Sequence, residues 1–146
     1  MDPGLEVQET GDHHPDRFAR GDLYLTLSRQ GQVVGSTWLT TAGLWVAEAR
    51  AFFVVNPGEV VIYDTYVDPA FRGQGFQNQI SAFAVHVARR RGFRRVVTYV
   101  DSLNLPSLRV QRKMDRQRTQ RVLCLRIGSA ACCIGLNSPA ATRFRK

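Results

Sequence analysis

Apolar and polar residues alternate along Asp22 to Ser28 (DLYLTLS), the period of a half-buried strand. Arg29-Gln30-Gly31-Gln32 reads as a turn, and Val33 to Thr40 (VVGSTWLT) supplies the second strand of a hairpin. Thr41 to Ala51 has no clear period. Phe52 to Val55 is strongly β-prone, and Asn56-Pro57-Gly58 reads as a turn. Glu59 to Val67 is then the predicted central strand, with Ile62, Asp64 and Tyr66 on one face and Tyr63, Thr65 and Val67 on the other.

The period changes at Phe76. Phe76, Ile80, Phe83, Ala84 and Val87 make one apolar stripe at helical spacing and predict a helix from Phe76 to Arg91. Arg89, Arg90 and Arg91 suit the negative end of that helix dipole, and Gly92 suits the residue beyond it. Arg95 to Asp101 (RVVTYVD) predicts the next strand. Pro106 to about Arg116 predicts a helix with proline in its first turn, where a missing N–H does no harm. Arg121 to Ile127 and Ala131 to Leu136 predict two further strands about Gly128-Ser129. Residues 1–20, rich in Gly, Pro, Asp, Glu and His, are expected to form a flexible leader; residues 21–137 a single domain; residues 138–146 a basic tail.

The stretch joining the predicted strand to the predicted helix carries the most chemistry. Asp68-Pro69 turns the chain, and Arg72-Gly73-Gln74-Gly75 leads it into the helix. A strand that feeds a glycine-rich loop into a helix N-terminus presents free N–H groups to phosphate. Arg72 adds a planar, permanently charged donor. Two other phosphate-binding patterns are excluded. A dinucleotide-binding loop needs a third glycine and an acidic residue about 20 positions on, and a P-loop needs Gly-Lys-Ser/Thr.

Composition narrows the class. With 146 residues and 44% hydrophobic content, the chain can bury a core. No apolar run approaches the roughly 20 residues that span a bilayer, and no export or anchor signal is present, so a cytoplasmic location is expected. Cys124, Cys132 and Cys133 are odd in number and lack a C-x-x-C spacing, which argues against a disulfide framework or zinc site. His13 and His14 have no nearby ligand partners, and no metal is expected. Residues 1–68 hold four Arg against ten Asp and Glu, whereas residues 69–146 hold fourteen Arg and two Lys against two Asp. The basic half begins at the glycine loop, where a positive field would steer an anionic ligand. A phosphate-bearing cofactor is one such ligand and nucleic acid another. Against the latter, no helix-turn-helix or RNA-recognition signature appears, and no aromatic stacking set is interleaved with the basic residues.

Val67-x-Pro69-x-x-Arg72-Gly73-x-Gly75, then a helix, a strand ending near Asp101, and Asn104-Leu105-Pro106-Ser107 opening a second helix resembles the GCN5-related N-acetyltransferase (GNAT) superfamily. The resemblance covers Val60 to about Arg116. It implies an α/β (α+β) fold with a mixed, mainly antiparallel central sheet flanked by helices. Only about twenty residues precede Asp22, so the N-terminal region is expected to be shortened. The implied function is transfer of acetyl from acetyl-CoA to a primary amine by direct attack in a ternary complex. The implied partners are acetyl-CoA and an amine, with a homodimer common in such proteins. By the same resemblance, Gly73, Gln74, Gly75, Phe76, Gln77 and Asn78 present N–H groups to the pyrophosphate, with Arg72 at the loop entry. Thr65, Tyr66 and Val67 match positions whose main chain pairs with the pantetheine arm. Asn104 and Ser107 match positions beside that arm.

The catalytic positions depart from the family pattern. Tyr99 stands where many relatives have a glutamate base, Gln111 where many have a tyrosine acid, and Asp115-Arg116 where Gly-Phe is usual. Asp64 is the first candidate base, directly or through water; Asp101 and Tyr99 follow. These departures leave a further reading, an acyl-CoA-binding domain without turnover, and the basic half of the chain leaves another, a basic nucleic-acid-binding module.

Overall fold

In the computed structural model, residues 4–47, 51–113, 121–127, 130–136 and 144–145 are described, the last three stretches by backbone alone. The chain divides into two compact units, Met1–Thr41 with Asn56–Val100, and Ala42–Val55 with Asp101–Lys146.

The first unit is a five-stranded sheet in the order β1-β2-β3-β6-β7, built from Gly4–Gln8 (β1), Leu23–Arg29 (β2), Gln32–Thr40 (β3), Glu59–Val67 (β6) and Arg95–Val97 (β7). All pairings are antiparallel except β6–β7, which is parallel. The sheet is therefore mixed and mainly antiparallel, as expected. The strand Glu59–Val67 lies between β3 and β7, so β3 holds the middle of the sheet. Gln30 and Gly31 both take positive φ, the two-residue turn whose twist matches a hairpin.

Residues 4–19, whose composition suggested a flexible leader, carry two elements. β1 pairs with β2 in register from Gly4↔Ser28 to Gln8↔Tyr24. Pro15–Ala19 forms a short helix, α1, with proline in its first turn. Composition gave no sign of β1 because its residues are largely exposed and its hold is backbone pairing to an edge.

The helix Phe76–Arg90 (α2) packs on one face of the sheet. Leu23, Leu25, Leu39, Val60 and Ile62 meet Ala84, Val87 and Ala88 there. Leu27 and Val34 meet Phe76 and Ile80, with Val67 and Phe71 alongside. The predicted stripe thus faces the sheet, and burial of this face drives the unit's assembly. On the opposite face, Tyr24, Trp38 and Tyr63 form a row across three strands, since Tyr24↔Trp38 and Trp38↔Tyr63 are register partners. Phe18 of α1 lies against this row, its ring centroid 5.0 Å from that of Trp38.

The second unit contains Leu44–Val46 (β4), Ala51–Phe53 (β5) and Phe144–Arg145 (β10) as one antiparallel sheet, Leu105–Lys113 (α3), and the hairpin Arg121–Ile127 (β8) with Ala130–Leu136 (β9). The predicted helix end at Arg116, most of the basic tail and the cysteine side chains lie outside the described residues. Among the described residues, no helix is long and apolar enough to cross a membrane.

Ile80 is fully buried between α2 and the sheet. Ile80→Ala should cost about 3 kcal/mol through lost burial plus a residual cavity. Urea unfolding followed by circular dichroism checks this.

Candidate functional site

β6 does not keep the regular alternation its sequence suggests. The register runs Trp38↔Tyr63 and then Ser36↔Tyr66, so Asp64 and Thr65 together stand opposite Thr37. This is a β-bulge, and Asp64 takes φ 47° to make it. The extra residue reverses the facing of everything beyond it. Tyr66 therefore shares the face of Tyr63, Ile62 lies on the α2 face, and the predicted grouping of Ile62, Asp64 and Tyr66 does not hold. The buried Thr37 hydroxyl pins the bulge: it donates to the Tyr63 carbonyl at 3.2 Å and lies 2.8 Å from the Thr65 hydroxyl.

The other edge of β6 opens at the same level. β7 pairs with it only along Glu59↔Arg95, Val60↔Val96 and Val61↔Val97. An ion pair at 3.1 Å between Arg95 and the buried Glu59 fastens the near end. The last tie is the Thr98 hydroxyl, which donates to the Ile62 carbonyl at 3.2 Å. Beyond it, among the described residues, no strand covers this edge of Tyr63 to Val67. The predicted strand Arg95–Asp101 thus stops at Val97, and Tyr99 and Asp101 lie past its end. Tyr99 is half-buried. Asp101 accepts the Leu103 N–H at 2.8 Å, the work of a turn residue.

β6 leads directly into the glycine loop. Asp68 accepts the Ala70 N–H at 2.9 Å and starts a 3-10 turn over Pro69–Phe71. Gly73 and Gly75 take φ 77° and 85°, the left-handed region open to glycine at little cost. A Cβ at either would meet nothing within 4 Å, so the loop faces open space. Gly75 is the N-cap of α2 and supplies no side-chain cap. Among the described residues, no acceptor meets the N–H groups of Gly73, Gln74, Gly75, Phe76 or Gln77. These are free donors at the positive end of a helix of 15 residues.

Arg72 is exposed, with its Nε donating to the Val67 carbonyl at 3.1 Å. That bond folds the guanidinium against the end of β6, while its Nη groups have no partner among the described residues. Arg29, which the sequence did not single out, joins the loop from the β2–β3 turn. It donates to Gln74 Oε1 at 3.1 Å and lies 5.8 Å from the Phe76 ring centroid. Phe76 is buried, whereas Gln77 and Asn78 are half-buried in the first turn of α2.

Asn104 and Ser107 belong to the second unit. Asn104 Oδ1 accepts the Ser107 N–H at 3.1 Å and so caps α3. Its side-chain oxygen is thus engaged locally, and its Nδ2 donors are left over.

Asp64 is exposed on the bulge, where Arg17 of α1 donates to its Oδ2 at 2.7 Å. A second acidic group escaped the sequence reading altogether. Asp22 is 1% exposed and receives the Tyr63 hydroxyl at 2.6 Å. Arg20 closes the network on the same carboxylate and also donates to the Tyr63 oxygen at 3.2 Å. Burial, reinforced by the bond to Asp22, pushes the Tyr63 hydroxyl above its ordinary value of 10.0. A lone aspartate opening an apolar strand was the available signal, but its partner stands 41 residues away.

The Acetyltransferase (GNAT) family model matches residues 3–115, and the chain belongs to this family. Mycothiol acetyltransferase of Thermomonospora curvata is 31% identical over 88 residues, 56% of this chain and 30% of that protein. The chain thus spans about a third of that relative's length. Among solved structures, aminoglycoside N-acetyltransferase AAC(6')-Iy in complex with CoA superposes with a TM-score of 0.62 at 16% identity, covering 85% of this chain and 98% of that one. The aminoglycoside acetyltransferase meta-AAC0020 from an uncultured soil metagenomic sample, in complex with sisomicin, gives 0.62 at 12% identity, covering 88% and 97%. At these identities the likeness is one of fold.

Two outcomes test this geometry. Thr37→Val keeps the shape but removes the hydroxyl that pins the bulge, and should cost about 1–2 kcal/mol in thermal unfolding, with Thr37→Ser recovering most of it. Tyr63 stays neutral in the fold after the unfolded chain has begun to ionise. Its contribution is therefore complete below about pH 10 and lost as pH rises beyond that. The stability gap between wild type and Tyr63→Phe should narrow above about pH 10 in paired alkaline melts.

Proposed function

We propose that this chain is an acetyl-CoA-dependent N-acetyltransferase acting on a primary amine by direct attack in a ternary complex. One observation carries the proposal: the uncovered edge of β6 runs on from the Asp64 bulge and is followed, after the single turn Pro69–Phe71, by a row of free loop N–H groups. The residues present suit the donor. Gly73 to Gln77 offer helix-terminal N–H groups to a pyrophosphate, whereas the Asn78 N–H, expected to join them, is taken by the Gly75 carbonyl at 3.0 Å; Arg72 adds a charge-assisted donor, and the open faces of Gly73 and Gly75 leave room for it. Thr65, Tyr66 and Val67 offer main-chain groups for an amide-bearing arm to pair with, as an added strand would. On the second unit, Asn104 keeps its amide donors and Ser107 its hydroxyl, and both are proposed to bind acetyl-CoA.

Acetyl-CoA supplies an acetyl group already activated as a thioester. Anchoring that donor far from its reacting carbon lets binding energy set orientation. A backbone N–H at the bulge is proposed to donate to the carbonyl oxygen as it gains charge. Asp64 is the proposed proton acceptor for the amine, directly or through water, by Oδ1, which has no partner among the described residues. With Asp101 engaged as a turn residue, Tyr99, the third choice from sequence, is the alternative proton acceptor, half-buried past the end of β7. The names of the relatives are compatible with an amine acceptor: one is a mycothiol acetyltransferase, and others are aminoglycoside acetyltransferases.

Melting with and without acetyl-CoA at fixed ionic strength, with inorganic phosphate as the charge control, tests the reading. At about 100 times its Kd, acetyl-CoA should stabilise the wild type by ~2.7 kcal/mol. Arg72→Glu should abolish the shift while leaving the unliganded melt near that of wild type. A full shift in Arg72→Glu, or none in wild type, contradicts the assignment.

A further inference from the structure

The row of Trp38 and Tyr63 is covered by a side chain of the protein itself. The Arg17 guanidinium carbon lies 5.1 Å from the Trp38 ring centroid and 5.1 Å from that of Tyr63. The two rings are 6.4 Å apart and inclined by 34°, so the cation sits against both faces. Its Nη2 completes the arrangement by pairing with Asp64 Oδ2 at 2.7 Å. Two aromatic faces and one carboxylate converging on a single cation form a cation cage, and flat faces held off from water strengthen the attraction. The Tyr63 ring is locked in place because its hydroxyl is committed to Asp22 and Arg20.

The occupant is held less firmly than the cage. α1 has five residues, none of them buried, and its N-cap His14 takes φ 56° without a capping side-chain bond. Arg17 is 22% exposed and Asp64 51%, so the guanidinium can swing to solvent without displacing a core residue. The cage walls, by contrast, belong to β3 and β6. One of them, Asp64, is the bulge residue next to Thr65.

We propose that Trp38, Tyr63 and Asp64 form a binding site for a positively charged group of the acceptor, an ammonium or guanidinium, and that Arg17 occupies it when substrate is absent. This deepens the proposed acetyl transfer and rests on it for the word acceptor. The acceptor is then a primary amine carrying a second fixed positive charge. The fixed charge replaces Arg17 at Oδ2, which leaves Oδ1 to face the amine that reacts. A neutral amine has nothing to offer the ring faces or the carboxylate in exchange for the guanidinium, so the cage selects against it.

The test uses butylguanidinium and its uncharged counterpart of the same shape, butylurea. Binding is read from the Trp38 indole N–H resonance, assigned in a Trp45→Phe background. Butylguanidinium should bind Arg17→Ala at least ten-fold more tightly than wild type, because no internal cation competes. Adding Asp64→Asn should reverse most of that gain, and butylurea should bind none of these proteins measurably. Equal affinity of butylguanidinium for wild type and Arg17→Ala, or equal binding of butylurea, overturns the proposal. If Arg17→Ala fails to fold, Arg17→Gln keeps the apolar stem without the charge and is read in the same way. An acetyl-CoA melt on the same samples separates the two readings. A retained acetyl-CoA shift with no effect of Arg17 removes the cage alone. Tighter butylguanidinium binding without any acetyl-CoA shift in wild type leaves the cation site standing and removes the reaction.

Discussion

Two residues of β6, Asp64 and Thr65, stand opposite the one residue Thr37 of β3, and the first unit is arranged around that mismatch. A bulge bends its strand and strengthens the local twist. Here it falls just past the point where β7 leaves β6, so one edge of the strand becomes uncovered where the strand changes direction. It also turns Tyr66 to the face of Tyr63 and frees the chain to run through Asp68 into the glycine loop. A non-glycine residue at φ 47° is a strained conformation, and the surroundings hold it there. The Thr37 hydroxyl holds the bulge from inside the sheet, and Arg17 holds the Asp64 side chain from outside.

Charge is divided in the same way. The loop end of β6 gathers Arg29, Arg72 and free helix-terminal N–H groups, with the Asp68 carboxylate engaged by the Ala70 N–H of its own turn. The start of the aromatic row gathers the buried Asp22 and the exposed Asp64, each met by an arginine from the segment before β2. An anion is suited to the first end and a cation to the second, with the uncovered edge of β6 running between them. This polarity fits the proposed reaction, in which an acetyl group passes from an anionic donor to an amine.

The β2–β3 hairpin, the glycine loop and α2 were legible because each carries its own local signal. Those signals are a strict alternation, paired glycines, and an apolar stripe that all faces one sheet. The bulge was not legible. Glu59–Val67 alternates acceptably by itself, and the extra residue shows only when counted against β3. α1 and β1 were hidden for another reason: a short helix and an edge strand with exposed side chains are held by neighbours rather than by composition. The ties of Arg17 to Asp64 and Tyr63 to Asp22 span 47 and 41 residues, beyond the reach of any spacing rule. The glycine loop could be read from sequence as a row of free N–H groups, whereas the ring row through Trp38 needed the register of three strands.

The β6 edge and the loop behind it are proposed to form one row of donors and acceptors for a single ligand. Backbone amide resonances followed during a titration with CoA test it most directly. Asp64 to Val67 and Gly73 to Asn78 should shift together with one saturating Kd, while β1 and the C-terminal end of α2 stay unchanged. Shifts confined to the arginines at the C-terminal end of α2, or spread evenly over the basic surface and abolished by moderate salt, would contradict it.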